Sequence, residues 1–347
     1  MNRRILFICG SINQTTQMHQ IAGHLRDYNQ SFTPYYTDGF LELLRRGRLL
    51  EFTILGDKLR ERCSRYLESH NLPIDGRGGR GGYDLVVTCS DLLVQKNIRT
   101  SRIVLVQEGI LDPAGRALEL CKRFPALPLW LAGTATTGLS GHYERFCVAS
   151  EGYRDYFASH GAPKDRIVVT GIPNFDECER YRTNRFPHRH FVLVCTSDAR
   201  ETFKGDDRRG FISRALAIAA GRLLIFKLHP NENAARATRE IHRHAPSALV
   251  FARGSAEEMI ANCDVLVTQY SSTVFVGLAL GKEVHSYFDL ETLKRLMPMQ
   301  GGRAAFAIAR VCREILEGQA ALPKEPARSL PQPLAESGAP GLEWGLP

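Results

Sequence analysis

Residues 265–274 read Val-Leu-Val-Thr-Gln-Tyr-Ser-Ser-Thr-Val. The opening Val-Leu-Val has no polar–apolar alternation, so it fits a strand buried on both faces, as in a parallel sheet, rather than one with a solvated face. The hydroxyl residues Ser271, Ser272 and Thr273 follow at once and lead into an apolar helical pattern over Thr273–Leu280. Hydroxyls placed there cap the free N–H groups of a helix, and the same N–H groups, at the positive end of the helix dipole, attract phosphate. One hydroxyl suffices for a cap, so a run of them after a buried strand favours anion binding over capping alone.

The same grammar extends in both directions. Continuous apolar runs predict strands at Ile5–Cys9, Leu85–Cys89, Ile103–Val106, Phe146–Ala149 and Ile167–Val169, then at Phe191–Cys195, Leu223–Leu228, Ala248–Phe251, Val265–Thr268 and Glu283–Tyr287. Between them, amphipathic patterns predict helices that include Gln17–Tyr28, Asp57–His70, Glu151–His160, Asp207–Ala220, Ser255–Asn262, Thr273–Leu280 and Arg303–Leu316. Repeated β-α units of this kind predict a doubly wound α/β fold with its sites at the carboxyl ends of the strands. The alternation restarts at Phe191 after an irregular polar stretch, which predicts Rossmann-like domains over 1–180 and 181–318. Residues 319–347 carry Pro323, Pro326, Pro331, Pro333, Pro340 and Pro347 without apolar periodicity, the pattern of a disordered tail.

The 347 residues suit about two domains. Lys and Arg outnumber Asp and Glu by 45 to 37, a net charge of +8, which favours anionic partners without selecting one. The basic residues are scattered and form no nucleic-acid module, so no nucleic-acid partner is expected. The 9 cysteines include no C-x-x-C pair, which argues against a zinc site; small buried thiols in a reducing cytosol are the simplest account. No run reaches the roughly 18 apolar residues of a membrane span, so a cytoplasmic protein, at most peripheral to a membrane, is expected. The glycine-rich Asp75–Tyr83 precedes a strand instead of following one and reads as a flexible surface loop.

Two further strand ends carry chemistry. Leu223-Leu-Ile-Phe-Lys-Leu-His-Pro230 delivers His229 to a carboxyl end, where Pro230 stops the strand. His229 there either donates to a phosphate or acts as an acid near neutral pH, or is a structural histidine satisfied by backbone. Ile103-Val-Leu-Val-Gln-Glu-Gly109 ends in Glu108, a candidate general base or an exposed carboxylate without a role. Asp206-Asp207 lies in a polar loop where solvation is expected.

Together, Gln107-Glu108-Gly109, His229-Pro230 and Ser271-Ser272-Thr273 resemble the motifs of GT-B nucleotide-sugar glycosyltransferases. Within that group they are similar to bacterial sialyltransferases, capsule and lipopolysaccharide transferases and CDP-glycerol polyol-phosphate transferases. Phe146–Asp176 and Asn262–Thr268 resemble, respectively, the interdomain crossing and the strand before the phosphate-binding serines of such proteins. The resemblance implies an α/β, GT-B architecture of two Rossmann-like parallel-sheet domains facing a cleft, the first on the acceptor side and the second holding the donor. It implies Glu108 as the base that activates an acceptor hydroxyl, with inversion, and His229, Ser271, Ser272 and Thr273 as ligands of the donor phosphate. Ser11, Asn13 and His19 would line the acceptor side, although His19 also fits an ordinary helix position. No metal and no cofactor are expected, only a CMP, CDP or UDP type donor and a glycan or lipid-linked acceptor.

Two departures stand out. The usual acidic pair before glycine is here Gln107 and Glu108, and Val274-Phe-Val-Gly277 lacks the glutamate that binds the nucleotide ribose in many GT-B enzymes. The non-hydrolysing UDP-N-acetylglucosamine 2-epimerases share this fold, but their characteristic opening and second-domain stretches are replaced here by Cys9–Gln14 and Thr196–Glu201. The missing ribose glutamate also leaves open a non-catalytic nucleotide-sugar binding protein. Finally, Phe124–Gly133, with Trp130 beside basic residues, reads either as an anchor on an anionic membrane or as an ordinary buried loop.

Overall fold

A computed structural model describes residues 3–39, 42, 56–110, 116–124, 128–201 and 205–318. Over these residues the chain divides into two compact units, Met1–Glu177 with Arg295–Ala320, and Cys178–Lys294. The Pro-rich segment 319–347 lies outside the described residues.

The first unit holds a six-stranded sheet, β1 (Arg4–Cys9), β2 (Asn29–Pro34), β3 (Leu85–Thr88), β4 (Arg102–Val106), β5 (Arg145–Val148) and β6 (Ile167–Val169). Its order is β2-β1-β3-β4-β5-β6 and every pairing is parallel. Helices α1 (Ile12–Gly23), α2 (Asp57–Ser69), α3 (Arg116–Arg123) and α4 (Glu151–His160) join the strands. The apolar runs do what their pattern predicts: Ile5, Phe7, Val87, Val104 and Val106 are fully buried in one core with Met18 and Ile21 of α1. The edge strand β2 is not marked in the sequence, because Asn-Gln-Ser-Phe-Thr-Pro has too few apolar residues. Phe32 nevertheless stacks on Phe7 with ring centroids 5.0 Å apart. The glycine-rich loop before β3 is pinned rather than free. Buried Asp75 accepts the Arg80 N–H at 3.0 Å and the Tyr83 hydroxyl, and its glycines serve the positive φ angles of Gly78, Gly81 and Gly82.

The second unit contains β7 (Val192–Cys195), β8 (Leu224–Lys227), β9 (Leu249–Phe251), β10 (Val265–Thr268) and β11 (Glu283–His285), parallel in the order β11-β10-β7-β8-β9. Its helices are α5 (Arg208–Ala219), α6 (Ala234–His244), α7 (Ala256–Asn262), α8 (Thr273–Ala279) and α9 (Leu290–Arg295). In each sheet the winding direction reverses once, between β1 and β3 and between β7 and β10. Such a reversal opens a crevice at the carboxyl ends of the strands that flank it.

The last helix, α10 (Ala304–Glu317), corrects the expected domain limits. It follows the second unit in sequence, yet Ile308, Val311, Cys312, Ile315 and Leu316 are buried in the core of the first sheet, with Ile5 and Phe7. Asp176 holds the returning chain: its carbonyl accepts the N–H of Gly302 at 2.8 Å and its carboxylate accepts that of Ala304, in the first turn of α10, at 2.7 Å. A carboxylate at a helix N-terminus is favoured by the dipole as well as by the hydrogen bond. Gly152 gives the returning chain room, since a Cβ there would stand 2.1 Å from the Arg295 carbonyl oxygen. At the far end, Arg313 donates to Asp27 at 2.8 Å and the pair holds the Asp27 carboxyl below its usual range.

Truncation after residue 303 is therefore expected to unfold the first unit, because it exposes the apolar surface that α10 covers. Truncation after residue 318 should leave the melting transition in place. Leu316→Ala, which empties a fully buried site, should cost about 2–5 kcal/mol by chemical denaturation. Since Asp27 is depressed in the folded state, its contribution is present above the unfolded carboxylate pKa and is lost as pH falls through the folded one. Asp27→Asn should remove that part of the acid sensitivity.

Candidate functional site

In the first unit, Glu108 follows β4 and is half-buried. The Ser11 hydroxyl donates to its Oε1 at 2.6 Å and the Gln14 side-chain amide donates to Oε2 at 2.6 Å. Gln17 donates to the Glu108 carbonyl at 3.3 Å. Ser11 is also the N-cap of α1 and accepts the Gln14 N–H at 3.1 Å, so the carboxylate stands at the positive end of that helix. Gly10 is required for this arrangement, because a Cβ there would lie 2.1 Å from the Gln14 Oε1.

Gln107, the residue that departs from an acidic pair, is fully buried. Its Oε1 accepts the Ala149 N–H at 2.9 Å and its side-chain amide donates to the Gly109 carbonyl at 2.9 Å. A carboxylate could make the first bond but not the second. Glutamine thus joins the end of β5 to the turn that carries Glu108. Between Ser11 and Glu108, Cys89 follows β3. Burial, and then the Glu108 charge, push its thiol well above the ordinary value, which keeps it protonated and unreactive.

Asn13 and His19 do not join this group. Asn13 is exposed, and its backbone carbonyl accepts the Asn174 side-chain amide at 2.8 Å. His19 lies on α1 against α2, with Nδ1 3.1 Å from the Tyr66 hydroxyl and its ring edge-on to His70 at 5.2 Å. Burial, then the charges of His70 and Arg26, hold its imidazole below the usual value.

In the second unit the turns after β7, β8 and β10 are tied together. The His229 N–H donates to Thr196 Oγ1 and to Glu232 Oε2, both at 3.0 Å. Asn231 donates its N–H to His229 Nδ1 at 3.2 Å, and Asp198 Oδ2 lies 3.6 Å from the same nitrogen. Ser197 donates to Gln269 Oε1 at 2.7 Å, and Ser286, after β11, donates to the Gln269 carbonyl at 2.9 Å. Ser271 and Thr273 share a 2.9 Å hydroxyl contact, and Ser271 accepts the Thr273 N–H at 3.3 Å. Capping was expected of the whole run; Ser271 supplies it, while Ser272, at the N-cap position, makes no side-chain cap bond. His229, Ser197, Glu232, Ser286 and the Ser271–Thr273 run are half-buried, Thr196 and Gln269 are buried, and Asn231 is exposed.

Beneath them lies a buried ionic network. The Arg208 guanidinium donates to Glu232 at 2.5 Å and lies 3.2 Å from Asp206, which also pairs with Arg200 at 3.1 Å. Asp206 is thus buried and paired, not solvated as its polar loop suggested. Asp207 caps α5 by accepting the Gly210 N–H at 2.9 Å. Lys227, at the end of β8, donates to the Leu228 carbonyl at 2.8 Å, and burial lowers its pKa. Sequence reasoning missed Gln14, Gln17, Thr196, Arg208 and Glu232. Only a long-range contact gives each its role.

No protein-family model and no curated protein matches the sequence. Among solved structures, the chain is similar to the UDP-GlcNAc 2-epimerase of Neisseria meningitidis, solved bound to UDP-GlcNAc, with a TM-score of 0.53 and 12% identity over 90% of this chain and 91% of that one. It is similar to the Methanocaldococcus jannaschii UDP-GlcNAc 2-epimerase in complex with UDP-GlcNAc and UDP, with a TM-score of 0.53 and 12% identity over 90% of this chain and 92% of that one. A variant of the wall teichoic acid polymerase TagF gives a TM-score of 0.51 and 10% identity over 91% of this chain and 89% of that one. At such identities the likeness establishes the fold: the chain has the GT-B fold, built from two parallel-sheet α/β units.

Gln107→Glu is expected to destabilise the first unit by about 1–3 kcal/mol, because it leaves the Gly109 carbonyl without its donor and buries a charge beside it. Comparing the thermal transitions of wild type and variant at neutral pH checks this.

Proposed function

We propose that the chain is a metal-independent inverting glycosyltransferase, or polyol-phosphate transferase, that uses a nucleotide-activated donor in bacterial cell-surface polysaccharide synthesis. The observation that carries this reading is the pair of pre-organised strand-end sites. One unit holds a carboxylate, Glu108, oriented by Ser11 and Gln14. The other presents the His229 imidazole with the hydroxyls of Ser271, Ser272 and Thr273. The proposed reaction asks one thing of each unit.

Glu108 takes the proton of an acceptor hydroxyl as its oxygen attacks the donor's activated carbon from the side opposite the leaving group. The bond from that carbon to the phosphate oxygen breaks, and the nucleotide leaves with the electron pair. His229 and the hydroxyl run stabilise the charge that develops on the phosphate, a role that fixed donors fill without reorganising. For a polyol-phosphate donor the attacked atom is instead the phosphorus that bears the polyol; its bond to the bridging oxygen breaks, and the nucleoside monophosphate leaves with the electron pair. Ser11 acts with Glu108 on the acceptor side. The likeness to proteins solved bound to UDP-GlcNAc and UDP supports a nucleotide donor, and the TagF likeness supports a polyol-phosphate one.

An anionic membrane surface is the proposed setting, with a lipid-linked acceptor. No described helix is long and apolar enough to cross a membrane. Of the two readings of Phe124–Gly133, exposure supports the interfacial one: Trp130 is 45% and Phe124 50% exposed, and Arg123 lies over the Phe124 ring at 6.0 Å. Flotation with anionic liposomes at low salt should carry the protein upward, less so after Trp130→Ala; no association at low salt removes the membrane setting.

A thermal-shift panel of CMP, CDP, UDP and GDP tests the donor site, since a ligand of the folded state raises the melting temperature. At least one nucleotide should do so, and His229→Ala or Ser271→Ala should reduce the shift. With the matching activated donor and an acceptor, Glu108→Gln should lower turnover about 10²- to 10⁴-fold while nucleotide binding persists. Conversion of UDP-GlcNAc to its manno isomer without acceptor would replace the transferase reading with the epimerase one. Nucleotide binding without turnover on any acceptor would favour a binding protein.

A further inference from the structure

The most exposed large apolar side chain among the described residues is Tyr270, at 59%. It sits between Gln269 and Ser271, so its Cα is about 3.8 Å from that of the first hydroxyl residue. An aromatic ring left open to water in a turn that otherwise gathers polar groups needs a reason.

The ring is held, not loose. Tyr270 meets Tyr287 with centroids 5.6 Å apart at 79° and Phe288 at 5.1 Å and 80°. Both neighbours follow β11 and are edge-on, so neither lies flat on the Tyr270 ring. Tyr287 in turn leans on buried Phe211 at 6.1 Å, with the Arg214 guanidinium 5.5 Å from its centroid. The Ser286 bond to the Gln269 carbonyl and the 3.2 Å bond from the Phe288 N–H to Ser286 Oγ fasten the two turns. The result is a fixed aromatic step, partly open on top, one residue from the phosphate-binding run.

We propose that Tyr270, supported by Tyr287 and Phe288, is the stacking platform for the base of the nucleotide donor. The inference rests on the reading of Ser271–Thr273 as donor-phosphate ligands and adds what that reading lacks. The first turn of α8 offers no ribose-binding carboxylate: Val274, Phe275 and Val276 are all buried. The nucleoside must then be gripped on another side of the phosphates. A rigid, exposed ring joined directly to their ligands is suited to a flat base, because every base has a π-face and stacking tolerates its identity.

The test is isothermal titration of wild type, Tyr270→Ala, Tyr270→Leu and Tyr270→Phe with UDP, CDP, GDP and inorganic pyrophosphate. Stacking predicts that Tyr270→Ala and Tyr270→Leu weaken the best nucleoside diphosphate about 5- to 150-fold, while Tyr270→Phe stays within about threefold of wild type. Pyrophosphate should bind all four proteins alike. Unchanged nucleotide affinity in Tyr270→Ala overturns the platform and leaves the donor reading standing, as does an equal loss for pyrophosphate. A loss confined to a nucleotide sugar, absent with the free nucleoside diphosphate, would assign the ring to the sugar and likewise overturn it. Failure of every nucleotide to bind wild type overturns the donor reading itself.

Discussion

A parallel sheet covered on both faces has almost nowhere to present charge except the turns that leave its carboxyl ends. That constraint governs both units. Their central strands β1, β3, β4, β7, β8 and β10 are buried along nearly their whole length; Arg4 and Arg102 stand at strand starts, and the buried Lys227 turns its ammonium back onto a carbonyl. Polar function collects immediately afterwards, at Ser11, Glu108, Thr196, His229 and Ser271–Thr273. Ser11 bonds to Glu108 and His229 to Thr196 across separate strand ends, while Ser271 and Thr273 bond to each other within their turn.

Much of this was legible in the sequence because the signal is local. A continuous apolar run followed by a polar or hydroxyl turn marks a buried strand and its carboxyl end together, and Glu108, His229 and the serines stand at such ends. Where local pattern and tertiary role part, the reading failed. The start of α1 is hidden because its buried side carries Gln14 and Gln17, which bond to Glu108, and Thr15, which bonds to Cys63, in place of apolar residues. β2 was hidden because an edge strand needs only one large anchor, Phe32. The return of α10 was invisible because its amphipathic pattern records that one face is buried, not against which sheet.

The departures from the GT-B motifs acquire physical sense in context. Gln107 replaces an acid where the backbone demands a donor and an acceptor at once. The first turn of α8 has no carboxylate and is spent on packing, while an aromatic step stands open beside Ser271. Asp206, which sequence context assigns to solvent, instead anchors Arg208, and Arg208 holds the Glu232 carboxylate that fixes the His229 turn. The buried network therefore sets the geometry of the exposed one.

The central claim is that the turns after β7, β8 and β10 form one nucleotide site. Hydrogen–deuterium exchange with and without saturating nucleoside diphosphate tests it most directly, because it reports where binding slows backbone opening. The account predicts new protection in peptides covering 195–198, 229–232 and 269–276, with little change over 224–227, already buried. Protection confined to other segments, or none at a nucleotide concentration that raises the melting temperature, would contradict it.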